Sequence, residues 1–367
     1  SFSTQLWVSR RDNTDIQHPV GGGEAQDANP IPILNVDVGA SDDVQVTGPG
    51  VFRSANDLQT QTDQLKFLAN YNTGAHALKA GYELNTLSVI NLLAPRSTGQ
   101  FLFSSIEDFQ NGLASDIRAN GNGGDINDAA AEFDRIVHSI YLQDEWTPTD
   151  DLSFTLGLRY DFYTSDDAPT PSEPFLQRYG FSNSEQAFDG LSILQPRFAV
   201  NYDAGETLWG ETQFRAGAGI FSGGDPTVWF SNIFSNNGIG LSDQRVSRAA
   251  GCTDADLQVI QNGSFTGIPQ CLRDAQLAQT SQGNGRVDAI DPDFDIPSVI
   301  RGSIGFTHFT NFSGGDGFFD NWRMDMDVIY AQRRNAPEFR ELSFSQTGEL
   351  FPDGRSAVGS IVPLQAG

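Results

Sequence analysis

The chain has 367 residues, 38% of them hydrophobic, with 47 acidic against 22 basic side chains and a formal net charge of −25 at pH 7. No stretch approaches the roughly 18–20 consecutive apolar residues of a spanning helix, which excludes a helical membrane protein, and the charge argues against nucleic acid as a partner because phosphate binding needs concentrated Lys and Arg. A mean hydropathy of −0.33 is no argument against a membrane, since only every second residue of a barrel strand faces lipid.

In chain order, strands are predicted over about 3–11, 58–72, 76–94, 135–147, 152–164, 192–203, 208–222, 297–312 and 321–335, with a tenth around Glu338 to Phe344. The clearest is the fifth, where Leu152, Phe154, Leu156, Leu158, Tyr160 and Phe162 alternate with Ser153, Thr155, Gly157, Arg159 and Asp161. A period of two places all the apolar side chains on one face and the polar or small ones on the other. Such a row is long enough to cross a bilayer as a tilted strand, which takes about 9–11 residues. The same alternation recurs in Phe198, Val200 and Tyr202, in Phe214, Ala216, Ala218 and Ile220, and in Trp322, Met324, Met326, Val328 and Tyr330.

Short connections (Thr73 to Ala75, Pro148 to Asp151, Asp203 to Thr207, Ser313 to Asp320) alternate with long ones at about 12–56, 95–134, 164–190 and 223–297. If each joins antiparallel neighbours, all short turns share one end of the sheet and all long loops the other, as in outer-membrane barrels with periplasmic turns and extracellular loops. A soluble sandwich also alternates, but it keeps polar faces outward and does not sort its connections by end. Trp146, Trp209 and Trp322 lie beside short turns, where an aromatic girdle marks a membrane interface. Asp144 falls in the apolar row with Ile140, Leu142 and Trp146, which aims a carboxylate at lipid near the periplasmic end, where charge costs less than at the midplane.

The expected fold class is therefore all-β, an antiparallel transmembrane outer-membrane β-barrel in the bacterial outer membrane. Single-chain barrels have an even strand number and no open edge, so nine strands lead us to expect a wall that continues beyond both ends. The start at Ser1, with neither Met nor a basic-apolar leader, fits either a cleaved secretory signal or an internal piece, and the strand count favours the internal piece.

Candidate functional residues follow from position. Arg159, Asp161, Arg197, Arg215, Arg323, Asp325 and Asp327 fall on the lumen side, where buried charges need partners, either one another, a plug, or a polar substrate. Gly223 to Phe234 carries Val228, Trp229, Phe230, Asn232, Ile233 and Phe234, and Asp225-Pro226 suits a helix start. Those side chains either fold inward to close the outer rim or form a ligand-contacting vestibule. Cys252 and Cys271, both in the longest loop, are expected to form a disulfide in an oxidising compartment. The Gly121 to Asp128 run and the Asp288 to Asp295 cluster offer oxygens suited to Ca2+, but neither has EF-hand register, and solvated turns are the competing reading. No other metal or cofactor site is expected. The four histidines are scattered without nucleophile or acid partners at meaningful spacing, so no enzymatic activity is expected.

The run His138 to Trp146 (HSIYLQDEW), Thr147 to Asp151 and Leu152 to Asp161 (LSFTLGLRYD) resembles the strand-turn-strand of TonB-dependent outer-membrane receptors. Leu194 to Asp203 (LQPRFAVNYD), Phe214 to Phe221 (FRAGAGIF), Pro226 to Asn232 with Asn236-Asn237-Gly238, and Asp291 to Pro297 (DPDFDIP) are similar to the Oar-like subgroup. That resemblance implies a barrel of about 22 strands with a lumen plugged by an N-terminal domain, often preceded by a small β-sandwich. It implies active uptake or passage of a ligand, with the TonB complex as partner through an N-terminal region outside this chain. Outer-membrane lipid, lipopolysaccharide and a surface protein are the other expected partners. The alternative is a surface structural or adhesion protein whose acidic loops bind a partner or Ca2+ without transport.

Overall fold

The computed structural model describes residues 1–19, 31–39, 44–207, 209–224 and 226–360. Nine strands form one sheet in which every strand pairs antiparallel with its neighbours in sequence: Phe2–Ile16, Ala55–Thr73, His76–Ala94, Ala131–Thr149, Leu152–Thr164, Ser192–Thr207, Gly210–Ser222, Ser298–Thr310 and Arg323–Arg334. The sheet is open, with the first and ninth strands at its edges. All nine predicted strands are present. Most are longer than the bilayer signal, because polar residues such as Asp12 to Asp15 continue the ladder against Leu58 to Gln61 beyond the apolar band. Asp203 to Thr207, expected as a turn, belongs to the sixth strand and carries an irregularity in register between Asp203 and Glu206.

The expected tenth strand is not there. Residues 336–343 form no strand; one begins at Phe344 and pairs with Ser356–Ser360 in a separate hairpin. The segment around Pro337 cannot donate to a continuous ladder, which is one reason for the break.

In the middle of the wall the usual burial order is reversed at several positions. Leu142 and Ile304 on the apolar face are 58% and 64% exposed, whereas Ser139 and Gln195 on the polar face are 3% and 2% exposed. Apolar side chains left outside and polar ones enclosed require lipid as the outer solvent. Among the described residues no helix is long and apolar enough to span a membrane, so the crossing is made by strands.

The long connections are not merely solvated loops. Ser242–Ser247, Asp116–Gly121, Gln100–Phe103, Ile33–Val36 and Val44–Thr47 form a second, five-stranded sheet in that order, with Ile33–Val36 parallel to Gln100–Phe103. Leu34, Phe101, Phe103, Ile117, Leu257 and Leu272 are buried around it. A second core at the outer end of the wall joins Val89, Phe133, Phe188, Phe230, Ile233 and Ile296. The folded cap is thus built from hydrophobic residues that local sequence had placed in acidic loops.

At the opposite end the 311–322 turn is organised by Asp320, whose carboxylate accepts from the backbone N–H groups of Phe312, Ser313, Gly315 and Gly317 and from the Ser313 hydroxyl. The Ser313 hydroxyl and then the surrounding amides hold its carboxyl well below the usual carboxylate range. A depressed carboxyl contributes stability that is complete above its unfolded pKa, about 4, and is lost only as pH falls below that toward its folded value. Asp320→Ala is expected to speed hydrogen exchange of those four amides roughly tenfold at pH 7. In the wild type the same acceleration should appear only well below pH 4, and turn amides indifferent to the substitution would show that Asp320 does not organise them.

Candidate functional site

The inward face carries two ion-pair clusters. In the first, the register sets Lys66 opposite Glu83, Glu83 opposite Ser139 and Ser139 opposite Asp161. Lys66 Nζ lies 2.7 Å from Glu83, and Arg159 lies 3.0 Å from Glu83 and 2.8 Å from Asp161. Arg159 also donates to Ser139 Oγ at 2.7 Å, while Gln195 Nε2 donates to Asp161 Oδ2 at 2.6 Å. Two cations and two carboxylates therefore neutralise each other, and the remaining acceptors are met by neutral donors, the condition for keeping charges on an enclosed face.

Gly81 makes this arrangement possible. It stands directly opposite Tyr141, and a Cβ there would come within 2.2 Å of the Tyr141 ring. The ring fills that space and lies between the Lys66 ammonium at 5.9 Å and the Arg159 guanidinium at 5.8 Å, a cation–π bracket.

The second cluster lies on the last three strands. Arg215 forms a fork with Asp327 at 2.9 and 2.6 Å and donates to Thr307 Oγ1 at 2.7 Å. Thr307 donates to Asp325 at 2.7 Å, which also meets Arg323 at 2.8 Å. Gly305 sits between Arg215 and Asp327 in register, and a Cβ there would lie 2.2 Å from Asp327 Oδ1 and 2.5 Å from the Met326 carbonyl. Bidentate geometry of this kind needs that clearance.

Six of the seven sequence-predicted lumen charges are thus paired, in two clusters rather than one. The seventh, Arg197, contacts Gln195 Oε1 at 3.4 Å and lies over the Phe221 ring at 4.8 Å. In the same cross-strand row, past Gly219, comes Arg301. Among the described residues neither arginine has a carboxylate partner within ion-pair distance. Lys66, Glu83, Tyr141, Gln195 and Arg301 belong to this face but were missed as site residues. The alternation marked their side of the strand, and only the register shows which of them meet.

The helix Thr227–Ser235 divides the expected vestibule residues. Asp225, its expected cap, lies outside the described residues. Phe230, Ile233 and Phe234 share the helix face that is buried in the outer core, as spacing of three and four residues requires, which is the inward-folding arrangement of the two expected. Val228 is 68% exposed, Asn232 is half-buried, and the Trp229 ring meets Phe339 edge-on at 4.2 Å.

Cys252 and Cys271 form the expected disulfide, with Cys252 buried in the cap core. The acidic runs are used locally: Asp125 caps the turn at Ile126–Ala129, Asp291 accepts from the Asp293 N–H, and Asp288 pairs with Arg286 at 3.0 Å and accepts from Asn236. Among the described residues no group of three or more His, Cys, Asp or Glu side chains could hold a metal ion.

No curated protein matches the chain. Among solved structures it is similar to the outer membrane transporter YddB from Escherichia coli, at 11% identity and a TM-score of 0.41, over 84% of this chain and 30% of that one. It is also similar to the RagAB peptide importer in the closed-closed state, at 9% identity and a TM-score of 0.26, over 98% of this chain and 52% of that one. The chain therefore spans 30% of the length of the first of these structures and 52% of the second. The family described as "Outer membrane beta barrel domain" matches residues 4–308. With its apolar face outward, its ion pairs on the opposite face and its turns and loops sorted to opposite ends, the chain belongs to the outer membrane β-barrel domain family and resides in the bacterial outer membrane.

Proposed function

We propose that this chain is wall from a TonB-dependent, Oar-like transporter that takes up or passes a ligand through its lumen, and that it carries no catalytic step. The observation that carries the reading is the charged inward face. Its ion pairs make a polar wall, and the uncompensated Arg197 and Arg301 turn positive charge toward the lumen in a chain whose net charge is −25. Exposed cations on that face, without a carboxylate partner among the described residues, offer a charge that carboxylates of a plug or an anionic ligand can meet. The TonB complex, acting through a region outside residues 1–367, is the proposed energy source. Lipopolysaccharide is proposed around the outer leaflet.

A second reading, a surface adhesion or structural protein, is favoured by the disulfide-tied, five-stranded cap, a folded surface that could bind a protein partner without transport. The intact mass of the native polypeptide extracted from outer membranes separates the two. A wall of about 22 strands with a plug requires roughly 100 kDa or more, and cross-linking in intact cells should then join that polypeptide to TonB. A native mass near the 39.9 kDa of this chain, or a large polypeptide that does not cross-link to TonB, would remove the transporter reading.

A further inference from the structure

On the lipid side, Leu78, Asp144, Leu156, Phe198 and Ala218 fall in one cross-strand row. A cavity of about 690 Å³ opens along it, walled by Leu142, Leu158, Phe198, Ile220 and Ile300. That volume is in the range of ~300–1,000 Å³ typical of small-ligand sites. It exists because the short side chain of Ala218 lies between the larger Phe198, Ile220 and Ile300.

Asp144 and Arg197 are the charged residues along this mostly apolar groove; the Arg197 guanidinium is turned away, over Phe221 and toward Gln195, while the Asp144 side chain remains 22% exposed. Its Oδ2 accepts from His76 Nδ1 at 2.7 Å, while Oδ1 is buried with no hydrogen-bond partner among the described residues. An ionised carboxylate can accept about four hydrogen bonds, and hydrocarbon supplies no water to complete them. The His76 ring stacks on Trp146 at 5.9 Å, and Trp146 stacks on Phe154 at 5.5 Å, in the aromatic row beside the 149–152 turn. Asp144 therefore sits at the headgroup border of the periplasmic leaflet, with hydrocarbon-facing residues beyond it.

We propose that this groove binds a phospholipid of the periplasmic leaflet that carries a primary-amine headgroup, its acyl chain lying against Ala218 and its ammonium donating to Asp144. Charge complementarity selects the occupant: a lipid with only a phosphate would meet a carboxylate of like sign, whereas an ammonium meets opposite charge at the part of the Asp144 side chain that stays exposed. His76 is a positioning residue, holding the carboxylate toward the groove.

The test uses the native polypeptide purified from outer membranes, partly delipidated and exposed to equal amounts of phosphatidylethanolamine and phosphatidylglycerol, with retained lipid read by native mass spectrometry. Heat-modifiable migration establishes that each variant is folded. The wild type should retain phosphatidylethanolamine in preference by roughly tenfold, and Asp144→Asn should bring the two lipids to parity. Ala218→Phe, which fills the groove and leaves the carboxylate in place, should reduce retention of phosphatidylethanolamine by a similar factor. Equal retention of both lipids by the wild type, a preference that survives Asp144→Asn, or retention indifferent to Ala218→Phe would each overturn the assignment.

Discussion

Phe230→Ala is expected to open the extracellular end of the protein while leaving the membrane wall intact. Phe230 is fully buried, stacked on Phe188 at 4.3 Å and edge-on to Phe294 at 5.5 Å. It joins side chains from the third and fourth strands, the third long connection and the fourth. Truncating a buried Phe costs about 3–5 kcal/mol through lost transfer energy and the cavity left behind. The wall does not share that loss, because its ladder is held by backbone hydrogen bonds and lipid. Limited proteolysis of intact cells should therefore cut the mutant within 223–297, with heat-modifiable migration of the wall unchanged. Val228→Ala, one turn face away and 68% exposed, should change protease resistance by no more than the ~0.5 kcal/mol typical of surface positions. Equal sensitivity of the two variants would mean that the helix does not anchor the cap.

Breaking the Cys252–Cys271 disulfide should have an effect of similar size, confined to the cap. The bond lies between residues 19 apart in sequence and ties the segment around Asp254–Leu257 to the helix Gln270–Thr280, both of which pack on the five-stranded sheet. In the chain-entropy account a cross-link of this span is worth about 3 kcal/mol. Reduction, or Cys252→Ser with Cys271→Ser, should expose residues 254–269 to protease without unfolding the wall. A cleavage pattern identical with and without reductant would show that the cap core holds this segment unaided.

The wall was legible because a lipid-facing strand writes its structure locally. Leu152 to Phe162 fixes period, face and length without reference to any other part of the chain. The side of each lumen charge was legible for the same reason. Their partners were not, since Arg159 meets Glu83 across 76 positions and Arg215 meets Asp327 across 112, which only the register reveals. Asp144 was correctly placed toward lipid, yet its bond to His76, 68 residues away, turned an odd residue into half of a pair.

The cap was the largest omission. Ile33–Val36 and Gln100–Phe103 are four residues each, too short for alternation to separate a strand from a loop, and they pair parallel across a long stretch of chain. The residues at the outer rim were left between two readings. Phe230, Ile233 and Phe234 already showed helical spacing, and their burial in the outer core agrees with the inward-folding one.

The order of strands in the cap also bears on assembly and motion. Its sheet draws on the first, second and fourth long connections, and Asp116–Gly121 gains its outer neighbour only when Ser242–Ser247 arrives, 125 residues later at Asp243 beside Arg118. Hairpins of the wall can zip in sequence, each from contacts close along the chain, whereas this stitch between loops has the high contact order of a slow, late event. Once closed, it fastens three connections into a single body.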